Sequence, residues 1–413
     1  MLFKKSRKIF IHVDCDCFFA SCEILKNPNL KGKKVCVWKE IIIACSYEAK
    51  AFWIWVWTPI WEAKRILWKN WKFLWIDHNF YSEISDKLMK YLRENTLSIE
   101  PFSIDEAFCE ITWLAEMYKL SLLDYIKKLQ EDIYKKIGIA VSIWVANTRI
   151  KSKVYSKINK PCWIYIWYND DQEKELFKKI PLKDIPYICK SHKQRFKYSC
   201  KTVYDYISLW FWKIKKQIGK NWTDLWLELV WVNAFIINKN NEPKSIWRSR
   251  SFNSYKNSNY DFLKSQLLTH FERVFQDISK RNYEIKSISV MLRTKSFDTL
   301  IYTHKFNDYT NIREEIIKVV INLFEKNFNS IIIYRSTWIT FSDFRSYLPR
   351  QLSILDKPLR SKENKYKLMK TLESINSKYG WYKISFWIEL VWKWDEAKLG
   401  FRKYVGVVKS KIF

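Results

Sequence analysis

Glycine is nearly missing. The 413 residues hold six, against an ordinary share of ~7%. Long apolar runs are missing too; none approaches the ~20 residues of a membrane span. The start, Met1-Leu2-Phe3-Lys4-Lys5-Ser6-Arg7-Lys8, is basic but lacks the apolar segment and small-residue cleavage site of a secretory leader. A cytoplasmic protein with no membrane partner is expected. No CxxC pair occurs among the nine cysteines. Cys189 and His192 form one CxxH pair, and no second pair completes a zinc site. A scattered odd number suits reduced, buried thiols rather than a disulfide framework. Acidic residues are outnumbered 43 to 73 by Lys and Arg, a formal charge of +30. Such a balance fits an extended polyanion as partner; a Lys-rich surface from a biased composition fits it as well. No internal repeat is visible.

Tryptophan is abundant where glycine is scarce, at 23 residues. It stands where a chain needs turns: Phe52-Trp53-Ile54-Trp55-Val56-Trp57-Thr58-Pro59, Pro161-Cys162-Trp163 and Thr337-Trp338-Ile339. Turns favour residues that tolerate positive φ, which a bulky side chain resists. Two readings stand side by side. Many of these Trp are glycine in the cell, through a recoded stop codon, or they form an aromatic stripe along a strand.

The pattern most directly tied to chemistry is Ser103-Ile104-Asp105-Glu106-Ala107-Phe108. Two adjacent carboxylates interrupt an apolar, strand-like stretch, and ionised carboxylates do not stay there uncompensated. A divalent cation is the natural compensation, being a hard ion that prefers oxygen. A solvated acidic turn is the alternative. A second pair, Asp14 and Asp16, follows the apolar strand Ile9–Val13. The two strands are expected to lie side by side and hold metal for phosphoryl transfer.

Along the chain, residues 9–14 read as a buried strand and 16–25 as a helix whose N-terminus attracts phosphate. Residues 35–37 and 41–45 read as short strands, and 46–52, 59–67 and 80–94 as helices. A hairpin is expected over 97–104 and 107–112, with Asp105-Glu106 near its turn. An amphipathic helix follows at 121–137, a strand at 139–143 and a basic helix at 151–158. From about 170 the chain is Lys-rich and helical to about 238. Residues 239–245 read as a linker. Residues 246–344 alternate strands (288–292, 300–304, 331–334) with helices (260–279, 311–326), approximating β-α-β-β-α-β. Residues 345–413 form a tail with a helix at 363–378. The length, 413 residues, suits several domains.

Four sequence words together resemble one family. Val13-Asp14-Cys15-Asp16-Cys17-Phe18-Phe19-Ala20-Ser21-Cys22-Glu23 resembles the first motif of the Y-family translesion DNA polymerases. Ser46-Tyr47-Glu48-Ala49-Lys50-Ala51-Phe52 resembles their nucleotide-binding fingers motif. Ser103–Phe108 matches their catalytic hairpin word for word, and Asn159-Lys160-Pro161-Cys162-Trp163 resembles their Lys-Pro segment. The words come in the family's order and span most of the chain. Phe108-Cys109-Glu110 and Arg248-Ser249-Arg250-Ser251-Phe252 lean towards the polymerase V branch.

The resemblance implies an α+β fold: a right-hand polymerase with a ferredoxin-like palm (1–37 and 81–170), small fingers (38–80), a helical thumb (171–238), the linker 239–245, a separate α+β little finger (246–344) and the tail. It implies template-directed translesion synthesis with two Mg²⁺ ions. Asp14, Asp105 and Glu106 would be catalytic metal ligands, with the Cys15 backbone carbonyl as a fourth oxygen. Phe18, Phe19, Tyr47, Lys50 and Lys160 would bind the nucleotide, Phe19 as the steric gate that excludes a ribose 2′-hydroxyl. Asp16 is either structural or an aid to metal positioning. Arg248, Arg250, Arg293, Lys295 and Arg335 would hold DNA phosphates. Gln351-Leu352-Ser353-Ile354-Leu355-Asp356 resembles a clamp-binding peptide; Gln351, Leu352, Ile354 and Leu355 would dock on the sliding clamp (beta) and tether a weak binder. The implied partners are primer–template DNA, deoxynucleoside triphosphates and the clamp. A monomer is expected, with accessory subunits left open.

Departures from the family are also visible. Lys50 stands where Arg is common, keeping charge but losing the bidentate fork. Ala44 replaces a hydroxyl residue that touches phosphate. Pro186-Tyr187-Ile188-Cys189-Lys190 replaces hairpin glycines of the thumb. Trp38, Trp53, Trp144 and Trp163 all fall where the family has glycine. Two rival functions remain at this point: a non-catalytic DNA-binding relative working through the clamp, and a palm-fold nucleotidyl cyclase.

Overall fold

The computed structural model describes residues 8–346, apart from 40, 67–70, 157–158, 168–169, 186–199, 210–213, 215–219, 231, 235–242 and 253–257, together with 371, 374 and 375. The chain divides into two compact units, Met1–Asn241 and Glu242–Phe413.

The first unit carries strands β1 (Phe10–Cys15), β2 (Lys34–Trp38), β3 (Ile42–Cys45), β4 (Trp71–Trp75), β5 (Ser98–Pro101), β6 (Glu106–Glu110), β7 (Val141–Ala146) and β8 (Ile164–Ile166). Its principal helices are α1 (Phe18–Lys26), α2 (Tyr47–Lys50), α3 (Ile60–Ile66), α4 (His78–Asn95), α5 (Leu114–Met117), α6 (Leu122–Ile137), α7 (Arg149–Tyr155) and α8 (Asp170–Lys179). One sheet runs β5-β6-β1-β7-β8, and a smaller one runs β3-β2-β4. β1 is central, antiparallel to both β6 and β7. That is why its sequence is a nearly continuous apolar run: both faces are covered.

Two amphipathic helices build the main core on this sheet. In α4, Tyr81, Ile84, Leu88 and Leu92 are buried, and the Asp77 side chain accepts from the Phe80 N–H to cap the helix start. In α6, Tyr125, Ile126, Leu129 and Ile133 are buried; Ser121 caps the start and Gly138, at φ 85°, ends it. A side chain at 138 would also meet Leu25, since a Cβ there would lie 2.6 Å from its Cδ1. The small sheet has its own core of Cys36, Ile42, Cys45, Ala49, Ile54 and Ala63.

The second unit follows β-α-β-β-α-β, as its alternation implied. It runs β9 (Ser245–Ser251), a helix (Tyr260–Lys280), β10 (Tyr283–Thr294), β11 (Thr299–Thr310), a helix (Arg313–Asn327) and β12 (Tyr334–Ser346). The antiparallel sheet is ordered β11-β10-β12-β9. Ile288, Val290, Leu292, Ile339 and Phe341 form the core with Leu263, Phe271 and Phe324 from the helices. Both units are α+β, as expected.

Several local readings are corrected. α2 is shorter than 46–52, because the chain turns at Trp53, φ 63°. β4 was not anticipated; its Trp-Lys-Phe-Leu-Trp alternation is only half covered and pairs in parallel with β2. Ser245, read as linker, opens β9 opposite Ser342, since ladder pairing needs no apolar side chain. Trp338, read as turn, sits mid-strand in β12 between Met291 and Ser249. In Pro161-Cys162-Trp163 the positive φ (51°) belongs to Cys162, not to Trp163. Among the described residues, no helix is long and apolar enough to cross a membrane.

Candidate active site

The β1–β6 ladder aligns Asp14 with Glu106. The Cys15 N–H donates to the Asp105 carbonyl at 2.9 Å. Acidic residues from distant parts of the sequence therefore meet at one end of two hydrogen-bonded strands. Ligand atoms of Asp14, Glu106 and His12 lie within 4.8 Å of one another. Asp105 stands beside them, its carboxylate accepting from the Ser103 hydroxyl. The hairpin is pinned to α4, where the Ser85 hydroxyl donates to the Ile104 carbonyl at 2.5 Å.

Two ammonium groups sit on these acids. Lys160 Nζ donates to Asp14 Oδ1 at 2.5 Å, and Lys153 Nζ, from α7, donates to Glu106 Oε2. His12 Nε2 lies 3.1 Å from the same oxygen. His12 is fully buried between Phe108 and Trp144, with ring centroids at 5.1 and 5.7 Å. Burial lowers the His12 pKa against the pull of Glu106. Burial would raise Glu106, but hydrogen bonds from His12 and Lys153 outweigh it and hold the carboxyl at about 2. Asp105 is raised by burial, and its Ser103 hydrogen bond does not offset that together with repulsion from Asp14 and Glu106. Such crowding of carboxylates, already attracting two side-chain cations, suits a hard divalent ion. The Cys15 side chain is buried and burial pushes its thiol well up, so the thiol stays protonated and is no metal donor.

Asp16 resolves towards the structural reading. It is 3% exposed. It accepts from the Ser142 hydroxyl at 3.0 and 3.1 Å, the Cys162 N–H at 2.7 Å and the Tyr47 hydroxyl at 3.3 Å. Both of its oxygens are engaged. Lys50 Nζ lies 3.2 Å from Cys17 Sγ and 4.5 Å from the Tyr47 ring centroid. Asp14, Lys160, Tyr47 and Lys50 thus gather around the β1–α1 junction. Phe19 is half-buried and stacks on Tyr81 at 4.7 Å, 18° between planes. Phe18 is 4% exposed and packs in the main core, so its ring faces inward. Adjacent helix residues face about 100° apart, and only one of the two aromatics points outward.

A model of the impB/mucB/samB family matches residues 13–157, and one of the same family's C-terminal domain matches 243–354. The chain belongs to the Y-family DNA polymerases. A DNA polymerase IV of Oceanobacillus iheyensis is 25% identical over 387 residues, 90% of each chain. One of Nitrosopumilus maritimus is 28% identical over 328 residues, 76% of this chain and 89% of the relative. Among solved structures, a Y-family DNA polymerase chimera, Dbh-Dpo4(243-245)-Dbh, shares the fold with TM-score 0.65 and 21% identity. It is matched over 82% of this chain and all of its own. An insertion ternary complex of Dbh DNA polymerase aligns with TM-score 0.56 and 20% identity, over 82% of this chain and all of its own.

In this Y-family chain the expected DNA-contact residues divide into two groups. Arg248 pairs with Asp277 and Arg250 donates to Gln266 at 3.2 Å, so both reach towards the helix Tyr260–Lys280. Arg293 and Arg335 flank Phe297, 5.1 and 4.6 Å from its ring centroid. Lys295 lies in the turn after β10, where its N–H donates to the Ile333 carbonyl at 2.9 Å. The clamp-like residues Gln351, Leu352, Ile354 and Leu355, the 186–190 hairpin with the Cys189–His192 pair, and most of the 363–378 helix lie outside the described residues.

Four polar residues of the site were not singled out from sequence: His12, Lys153, Ser103 and Ser142. His12 carried a signal, since it lies two positions before Asp14 and so shares its face of β1. Ser103 stood in the catalytic word itself. Lys153 and Ser142 carried none, because their partners come from other segments.

Proposed function

We propose that the chain is a DNA-directed DNA polymerase that performs translesion synthesis by two-metal-ion nucleotidyl transfer. The observation that supports it most is the Asp14–Glu106 register, with Asp105 adjoining. Asp14, Asp105, Glu106 and the Cys15 carbonyl would hold two Mg²⁺ ions. Bound there, Mg²⁺ would lower the pKa of the primer 3′-hydroxyl and neutralise charge on the triphosphate.

The remaining work belongs to side chains. Lys160, Lys50 and Tyr47 hold the triphosphate, and the two lysines attract it by charge. Phe19, fixed by its stack on Tyr81, excludes a ribose 2′-hydroxyl by size. Lys153 and His12 hold the Glu106 oxygen in place. On this reading residues 1–37 and 81–170 form the palm, 38–80 the fingers, 171–238 the thumb and 246–344 the little finger. In the little finger, Arg293, Lys295 and Arg335 grip phosphate without regard to sequence. Gln351–Asp356 tethers the enzyme to the sliding clamp. Primer–template DNA with damaged template bases is the expected substrate.

Primer extension with Mg²⁺ on undamaged and lesion-bearing templates tests this reading, with Asp105→Ala as control. Extension past the lesion, lost in the variant, is expected. A folded chain that extends neither template would remove the enzyme assignment.

A further inference from the structure

Three tryptophans occupy backbone conformations suited to glycine. Trp53, Trp57 and Trp113 have φ of 63°, 80° and 68°. Positive φ in a bulky residue is an outlier, because the Cβ crowds the backbone. The local hydrogen bonds identify the turns. Thr58 N–H donates to the Trp55 carbonyl at 3.2 Å, and Leu114 N–H to the Ile111 carbonyl at 3.0 Å. Trp57 and Trp113 are therefore each the third residue of a four-residue turn. At Trp113 ψ is −8°. With φ 68°, Trp113 has the angles of the third position of a type II turn, which calls for glycine. Trp53 follows α2, its N–H donating to the Lys50 carbonyl at 3.0 Å. A left-handed residue just past a helix is most often glycine.

Nothing in the packing offsets the strain. The three residues are 80%, 75% and 61% exposed. An unfavourable φ persists when the surroundings hold the side chain, and here the rings reach into solvent. Trp144 is the contrast: it is extended, fully buried and packed on His12.

A rival account is that Trp53, Trp55, Trp57 and Trp61, all exposed, form a platform on which template bases stack. A platform explains exposure, but it does not explain why two of its members adopt left-handed angles. Nor does it reach Trp113, which lies between β6 and α5. A shortage of glycine explains all three, and the chain has six glycines beside 23 tryptophans.

We infer that the functional chain carries glycine at positions 53, 57 and 113. The cell's own translation system reads as glycine the codon rendered here as tryptophan. The inference does not depend on the polymerase assignment.

Two experiments test it. Protein isolated from the cells that make it is digested with trypsin and its peptides are weighed. Peptide 51–64 reports positions 53 and 57, and peptide 94–119 reports position 113. Glycine masses at all three are expected; tryptophan at any one overturns the inference for that position. In the second experiment the chain as written is compared with Trp→Gly and Trp→Ala single variants at the three positions. Each glycine variant should melt a few degrees above the tryptophan parent and above its alanine counterpart, because only glycine relieves the angle. Alanine equal to or better than glycine would overturn it. A tenfold loss of single-stranded template binding in Trp53→Gly and Trp57→Gly alike would favour the platform instead.

Discussion

Mild acid should destabilise the C-terminal unit through one side chain. His270, on the helix Tyr260–Lys280, is 3% exposed, and its Nε2 has no hydrogen-bond partner among the described residues. Burial, reinforced by the positive charges of Arg273, Arg250 and Arg248, depresses its pKa from 6.5 to about 4. The imidazole therefore stays neutral in the folded unit while the unfolded chain takes up a proton below about pH 6.5. Stability from this group is complete above that value and is lost as pH falls towards 4. A gap of about 2.5 units at ~1.4 kcal/mol per unit gives roughly 3 kcal/mol by about pH 4. Denaturant unfolding of the full chain at about pH 7 and about pH 4.5, followed by hydrogen exchange across 260–344, measures the loss. His270→Leu cannot take the proton, so its unit should lose less stability over the same interval. Equal losses in parent and variant would refute the reasoning, because every other titrating group is common to both.

Other outcomes follow from the site and the cores. Phe19→Ala should admit ribonucleotides roughly tenfold or more readily, read as the ratio of kcat/KM for matched ribo- and deoxynucleotides. Lys160→Ala should raise the KM for the incoming nucleotide about tenfold with a smaller change in kcat, as single-nucleotide insertion would show. Phe271→Ala removes a fully buried ring from the second unit's core. It should cost about 3–5 kcal/mol in denaturant titration while leaving the first unit's exchange rates unchanged.

The catalytic neighbourhood was legible because its acids break apolar strands, a conflict that sequence displays openly. Asp14 and Glu106 were expected on adjacent strands, and the register puts them opposite each other. The β-α-β-β-α-β order of the second unit was legible for a similar reason: its helices are long and strongly periodic. What stayed hidden depended on contacts between distant segments. Lys153 belongs to a helix read only as basic, and nothing local ties it to Glu106, 47 positions away. Phe18 and Phe19 look alike as letters, and only packing separates core from candidate gate. Arg248 and Arg250 were expected on phosphate, and nothing local in the sequence showed that the helix beside β9 offers them Asp277 and Gln266.

The buried Asp16 carboxylate has a consequence for how a substrate is received. It fastens Tyr47, at the start of α2, to the strand residue Ser142 and to Cys162, two positions past Lys160. The flanks of the proposed nucleotide cradle are thereby tied to one post. A substitution that removes that carboxylate would loosen both sides together.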